Sequence, residues 1–559
     1  MLNYLVSIAI SPDGSRAVIA AAKANTGRGR LVSGVDLIAE NTVRAALAYL
    51  DLDANAEYPA ARSDFDNASM PSAVAYSALG DLIFTSLEGS NAVHTRDPYN
   101  NGAMLERNKA VGRAPIGLAL DTRTKTLYVH NFLDRSVSAW DVSVYNDADA
   151  IEKDSVESRP KGRIPTVTWE ALPQQVLQGK RVFYDASNDS MSFNGYISCV
   201  ACHLDGGTGG RIWDFTDRGE GLRRTTSLLG RSGMGHGPVH WSANFDEIQD
   251  FENDMRGPFG GKGFMAEGHF QAGTRSKTLG DRKAGLAPNL DALAAYVSSL
   301  AKVNASPYRT PTGEMTADAR AGEAIFNSQK SGCARCHVPP LYTDSRLPGL
   351  GGPAPGSLLP GDFLTPQGFL VHDVGTLKPS SGHRQGDSLM GIDTPTLKGI
   401  WETGPYLHDG SAATLADVIG AANADDRHGA TSHLDMRGKQ QLVAFLMQLD
   451  DGPAALVGLR ETPRTKSFAG HLARVAGGSL IRLPAAFRNA RLSIHDLQGR
   501  QVATLDPGRP GLDGTWEWTW NGHASGAPGG PVARAGVYQV RVRGMGRIGE
   551  RALPLTWLP

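Results

Sequence analysis

Two short segments of this chain combine cysteine and histidine at one fixed spacing, Cys-x-x-Cys-His. They are Cys199-Val-Ala-Cys202-His203 and Cys333-Ala-Arg-Cys336-His337, and they contain all four cysteines of the 559 residues. This spacing is typical of covalent attachment of c-type haem. The two thiols, one helical turn apart, bond the porphyrin, and the adjacent imidazole ligates the iron. The motifs therefore predict two covalently bound haem c groups, with His203 and His337 as iron ligands.

Three other uses of cysteine pairs are a four-cysteine zinc site, a redox dithiol and a pair of disulfides. A zinc site would leave the histidine after each pair unexplained and would have to join pairs far apart in sequence, unlike the compact spacing of zinc ribbons. A thioredoxin-like dithiol is expected once, near a βαβ pattern. We therefore favour haem c over these alternatives.

Length and charge limit the possible partners. At 559 residues the chain is long enough for about four domains. Its 56 basic and 57 acidic residues nearly balance, so the total charge favours neither nucleic acid nor an anionic membrane surface. The sequence has no run of 18 or more apolar residues, and no membrane span is predicted.

Haem c is normally attached outside the cytoplasm, so we expect a periplasmic, extracellular or cell-surface protein. The first ten residues lack the basic region of a signal peptide and run directly into the turn Ser11-Pro-Asp-Gly14. We therefore expect either that a signal peptide has been removed or that the sequence is a fragment beginning inside a larger domain.

Residues 1–165 have the alternating pattern of β-strands. Three similar strand-turn-strand passages lie at Val6–Ala20, Ala73–Val93 and Pro115–Val142, and repetition of this kind indicates a repeat architecture. The passages resemble the YVTN-type β-propeller repeat. Because a closed propeller has about 4 to 8 blades, they predict a partial β-propeller.

From about residue 166 the pattern changes to helices and loops, and it occurs twice. Each copy has a helix before the haem motif and an amphipathic closing helix after it. These helices are expected at Gly179–Phe183 and Leu293–Leu300 in the first copy and at Gly322–Phe326 and Leu442–Leu449 in the second. The duplication predicts two all-α cytochrome c-like haem domains, 166–305 and 306–455.

Residues 456–559 return to a β pattern, with alternating runs at Arg491–Arg500, Trp516–Gly522 and Gly536–Arg543. Gly and Asn-Gly turns between such runs predict a small Ig-like β-sandwich. It resembles the module of flagellar hook-capping proteins and C-terminal secretion tails, which implies export or anchoring, and a spacer domain is the alternative. The expected fold is thus multidomain: a partial β-propeller, two all-α haem domains and a C-terminal β-sandwich.

The second haem unit carries three further motifs, Val371-His-Asp-Val-Gly-Thr376, Asp393-Thr-Pro-Thr-Leu397 and Gly404-Pro-Tyr-Leu-His-Asp-Gly-Ser411. With them, residues 170 to 450 resemble the bacterial di-haem cytochrome c peroxidases, which include the methylamine-utilisation di-haem enzymes. The resemblance implies one electron-transfer haem and one peroxidatic haem. It also implies hydrogen peroxide or another small oxidant or substrate, and a small electron-donor protein such as a cytochrome c or a cupredoxin.

The resemblance also bears on the sixth ligand of the second haem. Where the family usually has a ligand methionine, this sequence has Ala422. The replacements just beyond are His428, His433 and Met436, of which we favour His428 because it lies on the loop before the closing helix. Ligation by two histidines would lower the haem potential relative to a Met/His pair.

On the distal side of the first haem, the resemblance implies an open iron site, because no histidine lies between His203 and His236. The family places a catalytic Glu after a tryptophan motif, and aligning Trp241 with that motif puts Gln249 at the position of the Glu. Glutamine cannot act as a general base. The other distal candidates are Glu247, Glu252, His236 and His240, of which His240, beside Trp241, is the better histidine.

A calcium ion between the two haem domains is common in the family, where the carbonyl groups of a Thr-x-Pro segment bind it. Thr403 and Pro405 match that segment. The Asn side chain expected from the first unit is replaced by Thr225 or Thr226, which weakens a site that needs 6 to 8 oxygen ligands. The resemblance, with the match at Thr403 and Pro405, thus implies calcium as a further cofactor besides haem.

These features predict a di-haem c oxidoreductase, specifically a peroxidase in which electrons pass from the haem of His337 to the haem of His203. One alternative is a di-haem oxidase or oxygenase of an organic or protein substrate. A second alternative is a non-catalytic extracytoplasmic electron-transfer protein.

Overall fold

The computed structural model describes residues 2, 4–24, 43–100, 102–146, 157–216, 219–347 and 358–452. In the C-terminal part it describes residues 471–475, 478–484, 491–495, 501–505, 508–510, 515–521, 523, 536–543 and 550–557. The chain divides into two compact units, residues 1–455 and 456–559. No helix among the described residues is long and apolar enough to cross a bilayer.

The first unit begins with three antiparallel sheets within the described part of residues 4–165. In each sheet, strands that follow one another along the chain are neighbours, except that the fifth strand of the first sheet pairs with the third and not with the fourth. The first sheet contains β1 (Tyr4–Ile10), β2 (Arg16–Ala24), β3 (Val43–Asp51), β4 (Ala56–Glu57) and β5 (Ser63–Asp64). The second contains β6 (Pro71–Tyr76), β7 (Ile83–Leu87), β8 (Ala92–Asp97) and β9 (Ala103–Asn108). The third contains β10 (Pro115–Asp121), β11 (Thr126–Asn131), β12 (Ser136–Asp141) and β13 (Arg159–Pro165).

The first hairpin turns of the first two sheets use the same side-chain chemistry. In the β1–β2 turn the Ser11 hydroxyl donates to Asp13, and Gly14 adopts a φ of 76°, which glycine tolerates without strain. Ser77 and Asp81 repeat this pair in the β6–β7 turn. The expected strand-turn-strand passages are therefore confirmed as antiparallel hairpins, whereas their assignment to a β-propeller stays a prediction.

Helices and short hairpins form the rest of the first unit. The helices are α1 (Gln174–Tyr184), α2 (Cys199–Cys202), α3 (Phe251–Arg256), α4 (Glu267–Phe270), α5 (Pro288–Ser299), α6 (Ala317–Phe326), α7 (Leu415–Val418) and α8 (Met436–Leu446). The hairpins are β14 (Ile212–Asp214) with β15 (Leu222–Arg224), β16 (Asp362–Leu364) with β17 (Leu370–His372), and β18 (His383–Arg384) with β19 (Asp387–Ser388). Side-chain caps fix the start of three of these helices, since Thr316, Thr414 and Asp435 accept a hydrogen bond from the first turn of α6, α7 and α8, respectively.

The same helix pair occurs in both haem units. Helix α1 packs on α5, with the Phe183 and Tyr296 rings 5.1 Å apart, and α6 packs on α8, with the Phe326 and Phe445 rings 5.2 Å apart. A glycine stands at each crossing, and a Cβ there would collide with a carbonyl oxygen of the facing helix, that of Ala292 for Gly179 and that of Gln441 for Gly322. The predicted duplication is thus visible in the packing.

We expect Gly179→Ala to lower the free energy of unfolding by about 1–3 kcal/mol, the usual cost of overpacking, because the new methyl group has to push α1 away from α5. Thermal or denaturant unfolding of the protein measures this change. Gly268→Ala in α4 is the matched control, since a Cβ there meets nothing within 4 Å. Equal stability of the two variants would contradict the expected close approach of the helices.

The described part of the second unit contains two four-stranded antiparallel sheets, in the orders β20-β21-β25-β24 and β23-β22-β26-β27. Their strands are β20 (His471–Val475), β21 (Gly478–Pro484), β22 (Arg491–His495), β23 (Gln501–Leu505), β24 (Arg509–Pro510), β25 (Thr515–Trp520), β26 (Gly536–Arg543) and β27 (Glu550–Trp557). One apolar cluster contains residues from both sheets, among them Ile481, Ile494 and Trp520. Residues 456–470 of the predicted sandwich lie outside the described residues, and the sandwich assignment stays a prediction.

Candidate functional site

The first haem motif forms one helical turn beside a partly buried histidine. Helix α2 spans Cys199 to Cys202, and the His203 amide donates to the Cys199 carbonyl at 2.9 Å. Burial lowers the pKa of His203 to about 4, so the imidazole is neutral at pH 7, as metal ligation requires. All three motif side chains line one cavity of about 120 Å³, which we call the first cavity.

The second motif has a similar local structure. Residues Cys333–Arg335 form a 3-10 turn, and the His337 amide donates to the Cys333 carbonyl at 3.1 Å. His337 Nδ1 lies 3.2 Å from the Tyr342 carbonyl oxygen. Because a carbonyl only accepts, Nδ1 carries the proton and Nε2 keeps the lone pair that could bind a metal. Cys333, Cys336 and His337 line a cavity of about 700 Å³, which we call the second cavity.

His428 also lines the second cavity, and its ring centroid lies 6.2 Å from that of His337. Two metal–nitrogen bonds of about 2 Å each fit within this separation. Burial lowers the pKa of His428 to about 4, so this ring too is neutral at pH 7. Asn423 fixes the loop, since its side chain accepts from the His428 amide at 2.8 Å and donates to the Gly429 carbonyl at 2.8 Å.

The structure does not support Met436 as the sixth ligand. It is the first residue of α8, is 78% exposed, and is not among the described residues that line the second cavity. Asp435 caps the start of α8, and Met436, the next residue, is exposed to solvent. The distance along the sequence from the haem motif could not reveal this exposure. The arrangement of the described residues therefore favours His428.

The residues present fit haem c at both motifs. All four cysteines are free thiols, and burial raises the pKa of Cys199 to about 12 and of Cys333 to about 11, so these two side chains are protonated at pH 7. The second cavity lies within the range of about 300–1,000 Å³ usual for ligand pockets, and the first lies below it. Each cavity is lined by both cysteines and the histidine of its motif, which is the set of side chains that haem c requires.

One group of possible metal ligands lies beside the second motif, namely Cys336, Asp344 and His372. His372 contacts a carboxylate at each nitrogen, Asp362 at 2.8 Å and Asp344 at 3.0 Å. Burial alone would lower the pKa of His372, but hydrogen bonds such as that to Asp344 outweigh it and raise the pKa to about 11. An imidazolium has no lone pair for a metal, so this group is a buried ion-pair cluster rather than a metal site.

The acidic and amide side chains that follow Trp241 in sequence form hydrogen bonds outside the first cavity. The Gln249 amide donates to Asp291 at 2.9 Å, and Glu247 caps the 3-10 turn Ile248–Asp250 and accepts from the Lys283 and Ala284 amides. Glu252 accepts from Arg256 and from the backbone of residues 264 and 265. None of the three is among the described residues lining the first cavity, and neither is His236. The described lining of the first cavity therefore does not support the predicted distal function of Glu247 and Gln249.

His240 and Trp241, by contrast, line the first cavity as expected. Two carboxylates that sequence reasoning did not find, Glu220 and Asp254, line it as well. Both are buried, with 2% and 3% of their surface exposed. Neither belongs to a motif, so only the fold places them at the site.

Four residues of the first haem unit line both cavities, namely Arg224, Thr226, Arg231 and Trp241. Trp241 is buried, and its indole Nε1 donates to the Arg224 carbonyl at 2.8 Å. The Arg224 amide in turn donates to the carbonyl of His408 in the second unit at 2.6 Å, and the His408 Nε2 lies 2.7 Å from the Ser381 hydroxyl. His408, which also lines the second cavity, therefore connects the two haem units through its carbonyl group and a neighbouring loop through its Nε2. Hydrogen bonds between residues of both haem units thus hold the wall between the cavities.

The residues proposed for calcium do not fit that ion. The Thr403 carbonyl already accepts a hydrogen bond from the Arg224 guanidinium, which is buried between the two haem units. Burial lowers the pKa of Arg224 to about 10, so the group remains a cation at pH 7. A fixed cation beside Thr403 and Pro405 repels a second one, and no set of 6 to 8 oxygen ligands is apparent among the described residues there. The calcium expectation from Thr403 and Pro405 is therefore not supported.

We expect calcium to have no effect on this protein, because Arg224 supplies the positive charge at the domain boundary. Elemental analysis of the purified protein should find less than stoichiometric calcium, and the melting temperature should be the same in excess chelator and in millimolar calcium. Magnesium at the same ionic strength is the control. One tightly held calcium per chain, with a fall in melting temperature on chelation, would contradict this expectation.

Several known proteins resemble about half of this chain. A family model described as RoxA-like, cytochrome c-like matches residues 391–428. Hydrazine synthase subunit gamma from Kuenenia stuttgartiensis is 30% identical over 49% of this chain and 77% of its own length. The cytochrome c peroxidase IdrP1 from Denitromonas iodatirespirans is 25% identical, over 52% of this chain and 86% of its own length. The methylamine utilization protein MauG from Methylorubrum extorquens is 26% identical, over 55% and 89%.

Proposed function

Because the chain belongs to the family of MauG-like di-haem cytochrome c peroxidases, to which hydrazine synthase subunit gamma is related, we propose that it is a di-haem c peroxidase. The family resemblance expected from the sequence is thereby confirmed, and relatives of this kind imply covalently bound haem c. Hydrogen peroxide would take two electrons and two protons to give two water molecules. Electrons would pass from the haem of His337 to the haem of His203.

The observation that carries this proposal is the wall shared by the two cavities. An electron-transfer function for one haem and a reactive function for the other require close coupling through protein atoms. Trp241 and Arg224 line both cavities and are fixed by hydrogen bonds to residues of both haem units. A buried aromatic ring in this place supports passage of electrons between the two sites.

The two cavities offer different ligands. His337 and His428 face each other across the second cavity, which suits a six-coordinate haem that exchanges electrons without binding substrate. Among the described residues lining the first cavity, the imidazoles are His203 and His240. When bound, the haem groups supply the electrons that cleave the O–O bond.

Different residues of the first cavity would transfer the proton, orient the ligand and exclude water. His240 is the group we propose to take a proton from the incoming peroxide, since a neutral imidazole is a competent base near pH 7. Arg223, Arg224 and Arg231 line the same cavity and would attract and orient the anionic form of a ligand. Phe183, Trp213 and Phe251 supply apolar wall that excludes water.

A second candidate function is oxidation of an organic substrate at the same cavity. The observation that favours it is the lining, which includes Trp213, Phe215 and Phe259 but neither Glu247 nor Gln249. An apolar, aromatic wall suits an organic molecule at least as well as peroxide. The haem ligands and Trp241 would keep the same positions in this case.

We also propose a periplasmic or cell-surface location, with a small cytochrome c or cupredoxin as electron donor. The β-sheets of residues 4–165 would be part of a β-propeller, and the C-terminal sheets an Ig-like sandwich. Three antiparallel sheets in sequence, and two sheets sharing one apolar cluster, support these assignments.

The test uses holoprotein from a host that matures c-type cytochromes. Mass spectrometry of the denatured protein should find two covalently attached haem groups, and electron paramagnetic resonance should find one high-spin and one low-spin iron. The pre-reduced protein should consume hydrogen peroxide in the presence of a reduced donor. Two low-spin haems and no reaction with peroxide would overturn the proposal and favour a non-catalytic electron-transfer protein.

A further inference from the structure

The loop that carries His240 is a tight hairpin with a defined geometry. The Val239 amide donates to the Phe245 carbonyl at 3.0 Å, and the Ala243 amide donates to the His240 carbonyl at 3.2 Å. His240 itself has a φ of 69°. Left-handed backbone is uncommon for a residue with a side chain and tends to persist where the surroundings hold it. The backbone conformation of the loop therefore constrains the position of the His240 ring.

A chain of hydrogen bonds leads from this ring to a buried carboxylate. His240 Nδ1 lies 2.7 Å from the Asn244 Oδ1, and the Asn244 amide nitrogen donates to Glu220. Glu220 Oε2 lies 3.3 Å from the Arg223 Nε. Asn244 and Glu220 each have 2% of their surface exposed. The chain thus leads from the partly buried His240 to two buried side chains and ends on an ion pair.

The direction of these hydrogen bonds follows from the chemistry of the groups. An ionised carboxylate only accepts, so the NH₂ end of the Asn244 amide has to face Glu220. Its carbonyl end then faces His240 and can only accept, which requires a proton on Nδ1 of the neutral ring. The lone pair of the neutral ring is consequently on Nε2.

We propose that Glu220 and Asn244 are positioning residues that hold His240 in the tautomer whose Nε2 takes a proton from a ligand entering the first cavity. This inference rests on the proposed function, in which a small protic oxidant enters that cavity. It names the base of the reaction and the two residues that set its orientation. Asn244 and Glu220 act through His240 and do not themselves contact the ligand.

The proton is accounted for within the His240 ring. The ligand loses a proton, Nε2 gains it, and the ring becomes an imidazolium while Nδ1 keeps its proton and its bond to Asn244. An amide does not pass a proton onward under these conditions, so the charge stays on the ring. The negative charge of Glu220, relayed by the oriented Asn244 dipole, stabilises that imidazolium.

Other charged groups act on the same ring. Arg223, Arg224 and Arg231 line the first cavity and disfavour a further positive charge, whereas Glu220 and Asp254 favour it. The groups that pack directly on the ring are apolar, with the Phe245 and Phe251 centroids at 4.5 Å and 5.1 Å. Three cations around the cavity make a compensating carboxylate necessary if His240 is to accept a proton.

The second haem unit holds the backbone of the loop. Arg384 donates to the Ser242 and Ala243 carbonyl groups at 2.8 Å and 2.9 Å, and Gln385 donates to the Asn244 carbonyl at 3.1 Å. The Asp393 amide donates to the Trp241 carbonyl at 2.7 Å. Four successive carbonyl groups are therefore fixed from outside the loop, which keeps Asn244 in line with His240.

The test is the association of cyanide with the oxidised holoprotein, followed by stopped-flow absorption between pH 5 and 9. Hydrogen cyanide has to lose its proton as it binds, so the association rate constant reports the base without any turnover. We expect the rate constant to fall by roughly 100-fold in His240→Leu and by about tenfold in Asn244→Leu, the range of general-base effects. Asn289→Leu in α5 is the matched control, because Asn289 is partly buried and hydrogen-bonded to Gln178 but is not among the described residues lining the first cavity.

Glu220→Gln gives a second, independent readout. It keeps an acceptor for the Asn244 amide and removes the charge, so the imidazolium is less stable and the pH midpoint of the rate constant should move down. A purely structural function of Glu220 would lower the melting temperature and leave the midpoint unchanged. The absorption of the second haem in each variant shows whether the protein has folded.

The outcomes separate the inference from the function on which it rests. Cyanide binding to Asn244→Leu and Glu220→Gln with the rate constant and midpoint of the unmodified protein would overturn the positioning of His240 while leaving an open first haem. Failure of the unmodified protein to bind cyanide at any pH would overturn the open haem, and with it both proposals. Slow binding in His240→Leu and Asn244→Leu, with a shifted midpoint in Glu220→Gln, would support the inference.

Discussion

Replacing His428 with alanine is expected to convert the second haem from a low-spin, six-coordinate centre into a high-spin, five-coordinate one. His428 lies across the second cavity from His337, with 6.2 Å between ring centroids, and the neutral ring has a nitrogen lone pair for iron. Alanine removes that nitrogen. Electron paramagnetic resonance and absorption spectra of the oxidised holoprotein measure the change.

His428→Met extends the same prediction to the redox potential. A thioether in place of an imidazole should raise the potential of the second haem by a substantial part of the roughly 0.8 V range over which axial ligands tune haem. Met436→Leu is the matched control, because the side chain is 78% exposed and its loss should change neither spectrum nor potential. A spectral change in Met436→Leu without one in His428→Ala would show that the ligand is the methionine.

The sequence was sufficient where structure depends on neighbours along the chain. Cys199 to Cys202 forms the helical turn that the motif predicts, and Gly179 and Gly322 occupy equivalent helix crossings. The closing helices, Pro288–Ser299 and Met436–Leu446, overlap the predicted segments Leu293–Leu300 and Leu442–Leu449, but they begin earlier and end before the predicted last residues. Amphipathic spacing and helix caps are local properties, so they can be recognised in one sequence.

The sequence was insufficient where a site is assembled from distant segments. Counting from Trp241 put Gln249 at the haem, but residues 248–250 form a capped 3-10 turn whose side chains bind other parts of the first unit. Arg224 reaches the Thr403 carbonyl across 179 positions of sequence and takes the place expected for calcium. Contacts between residues so far apart in sequence depend on the complete tertiary structure, and the local sequence pattern does not predict them.

Glu220 and Asn244 show the same limit at the reactive site. Neither lies in a recognisable motif, and a buried carboxylate beside a buried amide has no signature in composition or spacing. His240 was identifiable only because it precedes Trp241. The orientation of its ring depends on Asn244 and Glu220, and the backbone of its loop on Arg384 of the second haem unit.

Replacing Trp241 with phenylalanine is expected to slow electron transfer between the two haem groups. Trp241 lines both cavities, and its Nε1 donates to the carbonyl of Arg224, which lines both as well. Phenylalanine retains an apolar ring but loses the indole and this hydrogen bond. A decrease of about tenfold or more corresponds to ~1.4 kcal/mol of additional barrier.

The measurement is rapid mixing of the reduced holoprotein with hydrogen peroxide, with the oxidation of the second haem followed by absorption. Reduction of that haem by the external donor should be unchanged in Trp241→Phe, because the donor does not have to pass the wall between the cavities. Trp213→Phe is the matched control, since Trp213 is also buried. It is among the described residues lining the first cavity and not among those lining the second. Similar slowing in both variants would indicate damage to the first cavity, and an unchanged rate in Trp241→Phe would show that electrons pass between the haem groups by another route.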